Sequence, residues 1–133
     1  MSIKTMDAIR TEELVRLYRP ARSKYEPWTW MDEERDIFTR ECLCCGRIGH
    51  YQRELEAHIA VFGMGGLNIY LCDGVVQDGN HRVVAAIRLG IGWLPLEKEA
   101  DAQARWIRQH GYVSWNDRKC GDRAAAQGGQ IID

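Results

Sequence analysis

Five consecutive residues, Asp78-Gly79-Asn80-His81-Arg82, put a carboxylate, a glycine, an amide, an imidazole and a guanidinium at one point of the chain. A β-like run, Asn68 to Leu71 and then Val75 and Val76, leads into them. A short apolar helix, Asn80 to Leu89, leads away and stops at Gly90. Asp78 is placed to cap that helix, and Gly79 lets the backbone turn closely with no Cβ in the way. The first N–H groups of a helix lack partners and the macrodipole there favours an anion. Gly79, Asn80, His81 and Arg82 therefore form a rim that suits a phosphate, with Arg82 read as an exposed cation in the first turn.

A plainer reading stands beside this one. Asp-Gly is a common turn, and strand–turn–helix connections occur in most mixed α/β domains. The coincidence of glycine, histidine and arginine in a single first turn is what favours a ligand site. The residues that follow are read as core: Val83, Val84, Ala85, Ala86, Ile87 and Leu89 are apolar almost all round, as in a buried helix. Such a helix would hold its polar start rigidly.

The run from Val75 through Gly79-Asn80-His81-Arg82 to Leu89-Gly90-Ile91, followed by Leu94-Pro95-Leu96, resembles the signature of the ParB/sulfiredoxin superfamily. Members carry a strand, a D-G-x-H-R-like turn, an Ala-rich helix closed by Leu-Gly, and a strand with an apolar-Pro-apolar step. Upstream, a helix over Tyr51 to Phe62, a Gly-rich break (Gly63, Gly65, Gly66) and a strand pair about Asp73-Gly74 agree with that order. The resemblance covers residues 51–97 well and the first fifty poorly. It implies a small α+β domain, a mixed sheet packed with helices, whose helix N-terminus receives nucleotide or nucleic-acid phosphates. Sulfiredoxins place a catalytic cysteine where this chain has Asn80, so sulfinic acid reduction is not expected. CTP-binding members carry Gly-Glu-Arg-Arg where this chain has Gly79-Asn80-His81-Arg82, and no helix-turn-helix DNA reader is expected in so short a chain. What remains resembles small nucleotide hydrolases, nucleases, small-molecule kinases or regulators of phage and plasmid origin.

A chain of 133 residues can bury one moderate core, so a single domain over residues 1–117 is expected, with 118–133 as a fraying tail. A formal charge of −1 removes any case for a globally basic nucleic-acid binder. Charge is uneven all the same: Arg10, Arg16, Arg19, Arg22 and Lys24 outnumber nearby acids and form either a phosphate-contacting patch or an ordinary solvated surface. No long apolar run or signal-peptide core is visible, so a cytoplasmic protein with no membrane partner is expected. The five cysteines are an odd number and suit a reducing compartment. Cys42, Cys44, Cys45 and His50 invite a zinc reading, but parsed as C-x-C-C the spacing misses the usual pairs. On a helix from Asp32 to Cys45, Phe38, Cys42 and Cys45 would share a buried face. Core packing is therefore expected and zinc is not, with Cys44 and His50 the pair to watch.

The remaining elements follow from periodicity and punctuation. Thr11 is expected to cap a helix carrying Leu14, Val15, Leu17 and Tyr18, ended by Pro20. Tyr25, Pro27, Trp28 and Trp30 fall in an aromatic loop that either stacks on a base or plugs a core edge. Asp32 opens the next helix and Gly46 closes it. Leu55, Ile59 and Phe62 mark an amphipathic helix stopped by Gly63. Leu67, Ile69 and Leu71 alternate as a strand, and Asp73-Gly74 is a hairpin signal. A helix over Ala100 to Gln109 is expected after Pro95.

Two functions follow. In one, the Asp78–Arg82 turn binds a nucleotide, with Mg²⁺ and ATP or CTP as the admissible cofactors and slow hydrolysis or phosphoryl transfer as the chemistry. His81 then donates to phosphate or shuttles a proton, and Asp78 caps the turn or shares the Mg²⁺ with a second carboxylate. Glu12, Glu33 and Glu54 are equal candidates for a general base. In the other, the domain is a non-catalytic regulator that binds DNA, weakly and salt-sensitively, or a host protein; a ParB-like nuclease is its enzymatic variant.

Overall fold

The computed structural model describes residues 8–43, 45–65 and 67–97. In chain order these form β1 (Ala8–Arg10), α1 (Thr11–Leu17), β2 (Arg19–Pro20), a 3-10 turn (Ala21–Lys24) and α2 (Trp30–Ile37). They continue with α3 (His50–Phe62), β3 (Tyr70–Cys72), β4 (Val75–Asp78), α4 (Asn80–Leu89) and β5 (Trp93–Pro95). The architecture is α+β, with small mixed sheets packed by helices, as expected. The helix expected at 100–109 and the tail at 118–133 lie outside the described residues.

β4 is the middle strand of a three-stranded sheet, parallel to β2 and antiparallel to β3, while β1 and β5 pair antiparallel. A parallel bridge from Ile69 to Leu96 links the two sheets. The β3–β4 hairpin turns at Asp73 and Gly74, with φ of 54° and 77°, the left-handed pair a two-residue primed turn requires. Leu67 and Ile69 are fully buried, as their alternation implied, but the strand begins only at Tyr70 and Leu71 is half-buried.

α4 lies between two apolar clusters. Val83 and Ala86 pack with Ile9, Leu14, Ile69, Val76 and Leu94; Ala85 packs with Leu55, Ile59 and Leu67 on α3 and after it. Burial of the helix is narrower than its composition suggested. Val83 to Ala86 are fully buried, but Ile87 and Leu89 are each 39% exposed and are not core. Gly90 ends the helix with φ 71°, where its N–H reaches the Ala86 carbonyl.

Three expected helix starts or ends move. Thr11 is the first residue of α1 and not its cap, because β1 runs into the helix with Arg10 still extended. Its hydroxyl donates instead to the Ile91 carbonyl at 2.6 Å and its N–H to Gly92 at 2.9 Å, tying α1 to the turn after α4. α2 starts at Trp30 under a capping box, with Thr29 accepting from the Asp32 N–H and Asp32 accepting from the Thr29 N–H. The Thr29 N–H, and after it the Thr29 hydroxyl, donate to the Asp32 carboxylate and hold it below its usual range. α2 then ends at Ile37, far short of Gly46. The Thr39 and Arg40 N–H groups turn back to the Asp36 and Ile37 carbonyls, and Glu41 leaves to bridge Ile48. The buried helical face expected for Phe38, Cys42 and Cys45 therefore does not form.

Candidate functional site

The start of α4 stands where the strand–turn–helix pattern put it. Gly79, not Asp78, occupies the cap position, with φ 101° and no side-chain capping bond from the turn. A Cβ there would lie 2.8 Å from Ile69 Cδ1, so only glycine lets β4 enter the helix against that core residue. Asp78 closes β4 opposite Tyr70. The Arg82 and Val83 N–H groups fold back to the Gly79 carbonyl at 3.0 Å. The Asn80 and His81 N–H groups, one step earlier, have no hydrogen-bond partner among the described residues. They are the orphan donors of a ten-residue helix whose dipole end is positive.

The side chains of this turn take roles the sequence did not suggest. Arg82 is 4% exposed and turns inward, where its Nη1 donates to the Asn68 carbonyl at 2.9 Å. It is not an exposed cation. The helical spacing that buries Val83 and Ala86 also carries Arg82 towards the loop before β3, and a buried guanidinium has to find an acceptor there. Asn80 is a brace: its Oδ1 accepts the Ala21 N–H at 3.2 Å and its Nδ2 donates to the Val76 carbonyl at 3.1 Å. The amide thereby fixes the 3-10 turn beside the helix start.

His81 is the centre of a network drawn from three other segments. Arg40 Nη1 lies 3.1 Å from its Nε2, Gln52 Oε1 lies 2.9 Å from its Nδ1, and the Tyr51 ring meets it edge-on with centroids 5.0 Å apart. A guanidinium can only donate, so Nε2 accepts and the ring proton sits on Nδ1, donated to Gln52. Gln52 is itself oriented by bonds from its Nε2 to the His81 carbonyl and to Glu56. Burial, then the charges of Arg40 and Arg82, lower the His81 pKa to about 4, against a small opposing pull from Asp36. At neutral pH the ring is uncharged and in one tautomer.

Arg40 supplies the cation that Arg82 withholds. Its Nε donates to Asp36 at 2.9 Å, and its Nη2 stands 4.0 Å from Glu33, which is buried and also accepts from Trp28 Nε1. Of the three carboxylates considered from sequence, only Glu33 is thus joined to His81, through Arg40. Glu12 lies on the exposed side of α1, and Glu54 lies beside His50. The amino-terminal basic residues divide. Arg10 stacks on Trp93, whereas Arg22 stacks on Trp28 and Lys24 reaches Gln77 at 2.7 Å, on the side of the α4 start. The aromatic loop divides too: Trp30 plugs the core edge with its Nε1 on the Tyr18 carbonyl, and Tyr25 is exposed.

Arg40, Tyr51, Gln52 and Asp36 were not among the residues singled out from sequence. Local spacing carries no trace of them, because Arg40 and Gln52 reach His81 across 41 and 29 positions. A cleft of about 690 Å³, lined by residues such as Thr11, Val15, Trp30 and Ile87, opens at the other end of α4. Its lining gathers no comparable set of donors.

No protein-family model, curated protein or solved structure matches the chain. None of the described helices is long and apolar enough to cross a membrane.

Proposed function

We propose that the start of α4 binds the phosphate of a nucleotide, as expected of a small ParB-like domain. The observation that carries this reading is the pair of unpartnered N–H groups on Asn80 and His81 beside a half-exposed guanidinium, Arg40. On this reading phosphate oxygens accept from both backbone donors while Arg40 contributes fixed charge from the flank. Arg82 and Asn80 act from behind, holding the Asn68 loop and the 3-10 turn in place. Exposed Tyr25, next to Lys24, offers a face for a base.

Binding is favoured over rapid turnover. A neutral His81 whose Nε2 is occupied by an arginine is neither a resting acid nor a free base, and Glu33 is separated from it by Arg40. Mg²⁺ would enter with the nucleotide, and hydrolysis or phosphoryl transfer would be slow. The test is a thermal-shift screen of the whole chain against ATP, CTP, GTP and ADP, with and without Mg²⁺. A bound nucleotide at a hundredfold excess over its dissociation constant adds about 2.7 kcal/mol, a readily measured rise in melting temperature. No response to any nucleotide would overturn the reading. Duplex binding that persists at high salt would replace it with the regulator, since phosphate-backbone contacts alone weaken steeply as salt rises.

A further inference from the structure

We infer that the turn between α2 and α3 is a zinc site formed by Cys42, Cys45 and His50. The argument starts from the backbone. Glu41 and Ile48 bridge antiparallel, the Cys42 N–H donates to the Arg47 carbonyl at 2.9 Å, and the Gly46 N–H donates to the Cys42 carbonyl at 2.8 Å. Gly46 has φ 74°, the left-handed conformation that closes the loop directly after Cys45. Cys42 and Cys45 have two residues between them, and the turn brings both thiols to one side. The Cys45 Sγ is 3.1 Å from His50 Nδ1, and one ligand atom from each of the three residues lies within 4.8 Å of the others. Around a tetrahedral zinc, with bonds of about 2.0–2.3 Å, ligand atoms stand roughly 3.5–3.8 Å apart. Small side-chain rotations would close the cluster on an ion.

The donor set selects the metal class. Two sulfurs and an imidazole suit zinc among the common divalent ions, and two thiolates neutralise its charge. Glu54 Oε1 lies 3.7 Å from His50 Nδ1 but is not one of the clustered ligand atoms, so water would take the fourth position. Parsed as C-x-C-C the sequence hid this arrangement; Cys42 and Cys45 themselves form a C-x2-C pair. The core reading fails for half of that pair, since Cys42 is buried but Cys45 is exposed. Apolar support for the turn is slight among the described residues. Leu43 and Ile48 are exposed, leaving Cys42 as its only buried apolar side chain among the described residues. A loop without a core of its own is where a bound metal contributes folding free energy directly.

The inference is independent of the phosphate reading, and its test uses no nucleotide. The full chain, purified under reducing conditions, is assayed for metal content, then stripped, reduced and titrated with Zn²⁺ and with Co²⁺ as a spectroscopic probe. One zinc per chain and a cobalt–thiolate charge-transfer band are expected, and a chelator should lower the melting temperature. Cys45→Ser and His50→Ala should each lose stoichiometric metal, and Cys72→Ser on β3 should retain it. These positions avoid the buried Cys42, whose replacement could disturb packing alone. Failure of the reduced wild-type chain to take up either metal would overturn the site. So would undiminished uptake by folded Cys45→Ser and His50→Ala.

Discussion

The start of α4 and the cysteine turn before α3 meet at one short stretch, His50 to Gln52, yet they are built on opposite plans. His50 faces the thiols, while Tyr51 and Gln52 face His81. The α4 start is a backbone site: its donors are main-chain N–H groups, its glycine is pressed against Ile69, and two apolar clusters clamp its helix. The proposed zinc turn would be a side-chain site, with little apolar support among its described residues. The first is held by packing alone, whereas the second, on that proposal, would need an ion to complete it. Packing thus preorganises the first, and coordination would organise the second.

Glycine replacement should separate the two plans most sharply. Gly79→Ala meets both a left-handed φ of 101° and Ile69 Cδ1 at 2.8 Å. Conformational strain of roughly 1–2 kcal/mol and overpacking of roughly 1–3 kcal/mol add to a loss of about 2–5 kcal/mol in denaturant unfolding. Gly46→Ala has the same kind of φ, 74°, but nothing within 4 Å of the new Cβ. It should cost only about 1–2 kcal/mol. Equal losses at the two positions would show that the α4 start is no better packed than the turn.

Arg82→Ala comes next. The substitution removes a buried charge-assisted bond and leaves the Asn68 carbonyl without that donor, which should cost about 2–3 kcal/mol. Chemical denaturation with an unchanged slope would report it. A loss below about 0.5 kcal/mol, the range of ordinary surface substitutions, would mean that Arg82 is free to face a ligand after all.

The pH dependence of stability tests the His81 network itself. The unfolded chain binds a proton near the ordinary histidine value of 6.5, and the folded chain only near 4. Stability is therefore unaffected by His81 above about pH 7, declines as pH falls through that interval, and loses nothing further once both states are protonated. The decline is at most about 3.5 kcal/mol, since one pKa unit corresponds to about 1.4 kcal/mol. Carboxylates titrate in part of the same window, so the measurement is the difference between wild type and His81→Gln. Parallel curves for the two proteins would show that His81 titrates normally.

Much of the fold could be read from the chain because its signals were local. Gly63 and Gly90 end the helices they were expected to end, and Asp73-Gly74 turns the hairpin. The turn at Gly79 was also visible, because strand, glycine and helix are adjacent in sequence. What could not be read was direction. Whether Arg82 points to water or to Asn68 depends on the rotation of α4 against two clusters, which no five-residue pattern encodes. The same holds for Arg40, which approaches His81 only because α2 stops at Ile37. A helix running on to Cys45 would put the cysteines on one buried face, whereas the chain leaves α2 at Ile37 and exposes Cys45.

Arg40→Ala should have the smallest effect on stability and the most informative effect on binding. Its side chain is 46% exposed, its close pair with Asp36 is partly exposed, and the buried Glu33, 4.0 Å away, keeps its bond from Trp28, so unfolding free energy should change by about 1 kcal/mol. Loss of a charge-assisted contact to phosphate, worth roughly 1.5–3 kcal/mol, should weaken nucleotide affinity about ten- to a hundredfold. Arg40→Lys keeps the charge but not the planar fork and should fall between. Titration calorimetry with the nucleotide that gives the largest thermal shift measures all three proteins. Unchanged affinity in Arg40→Ala would remove the cation from the proposed site and leave the Asn80 and His81 N–H groups to hold phosphate unaided, which two backbone donors on a solvated helix end do only weakly.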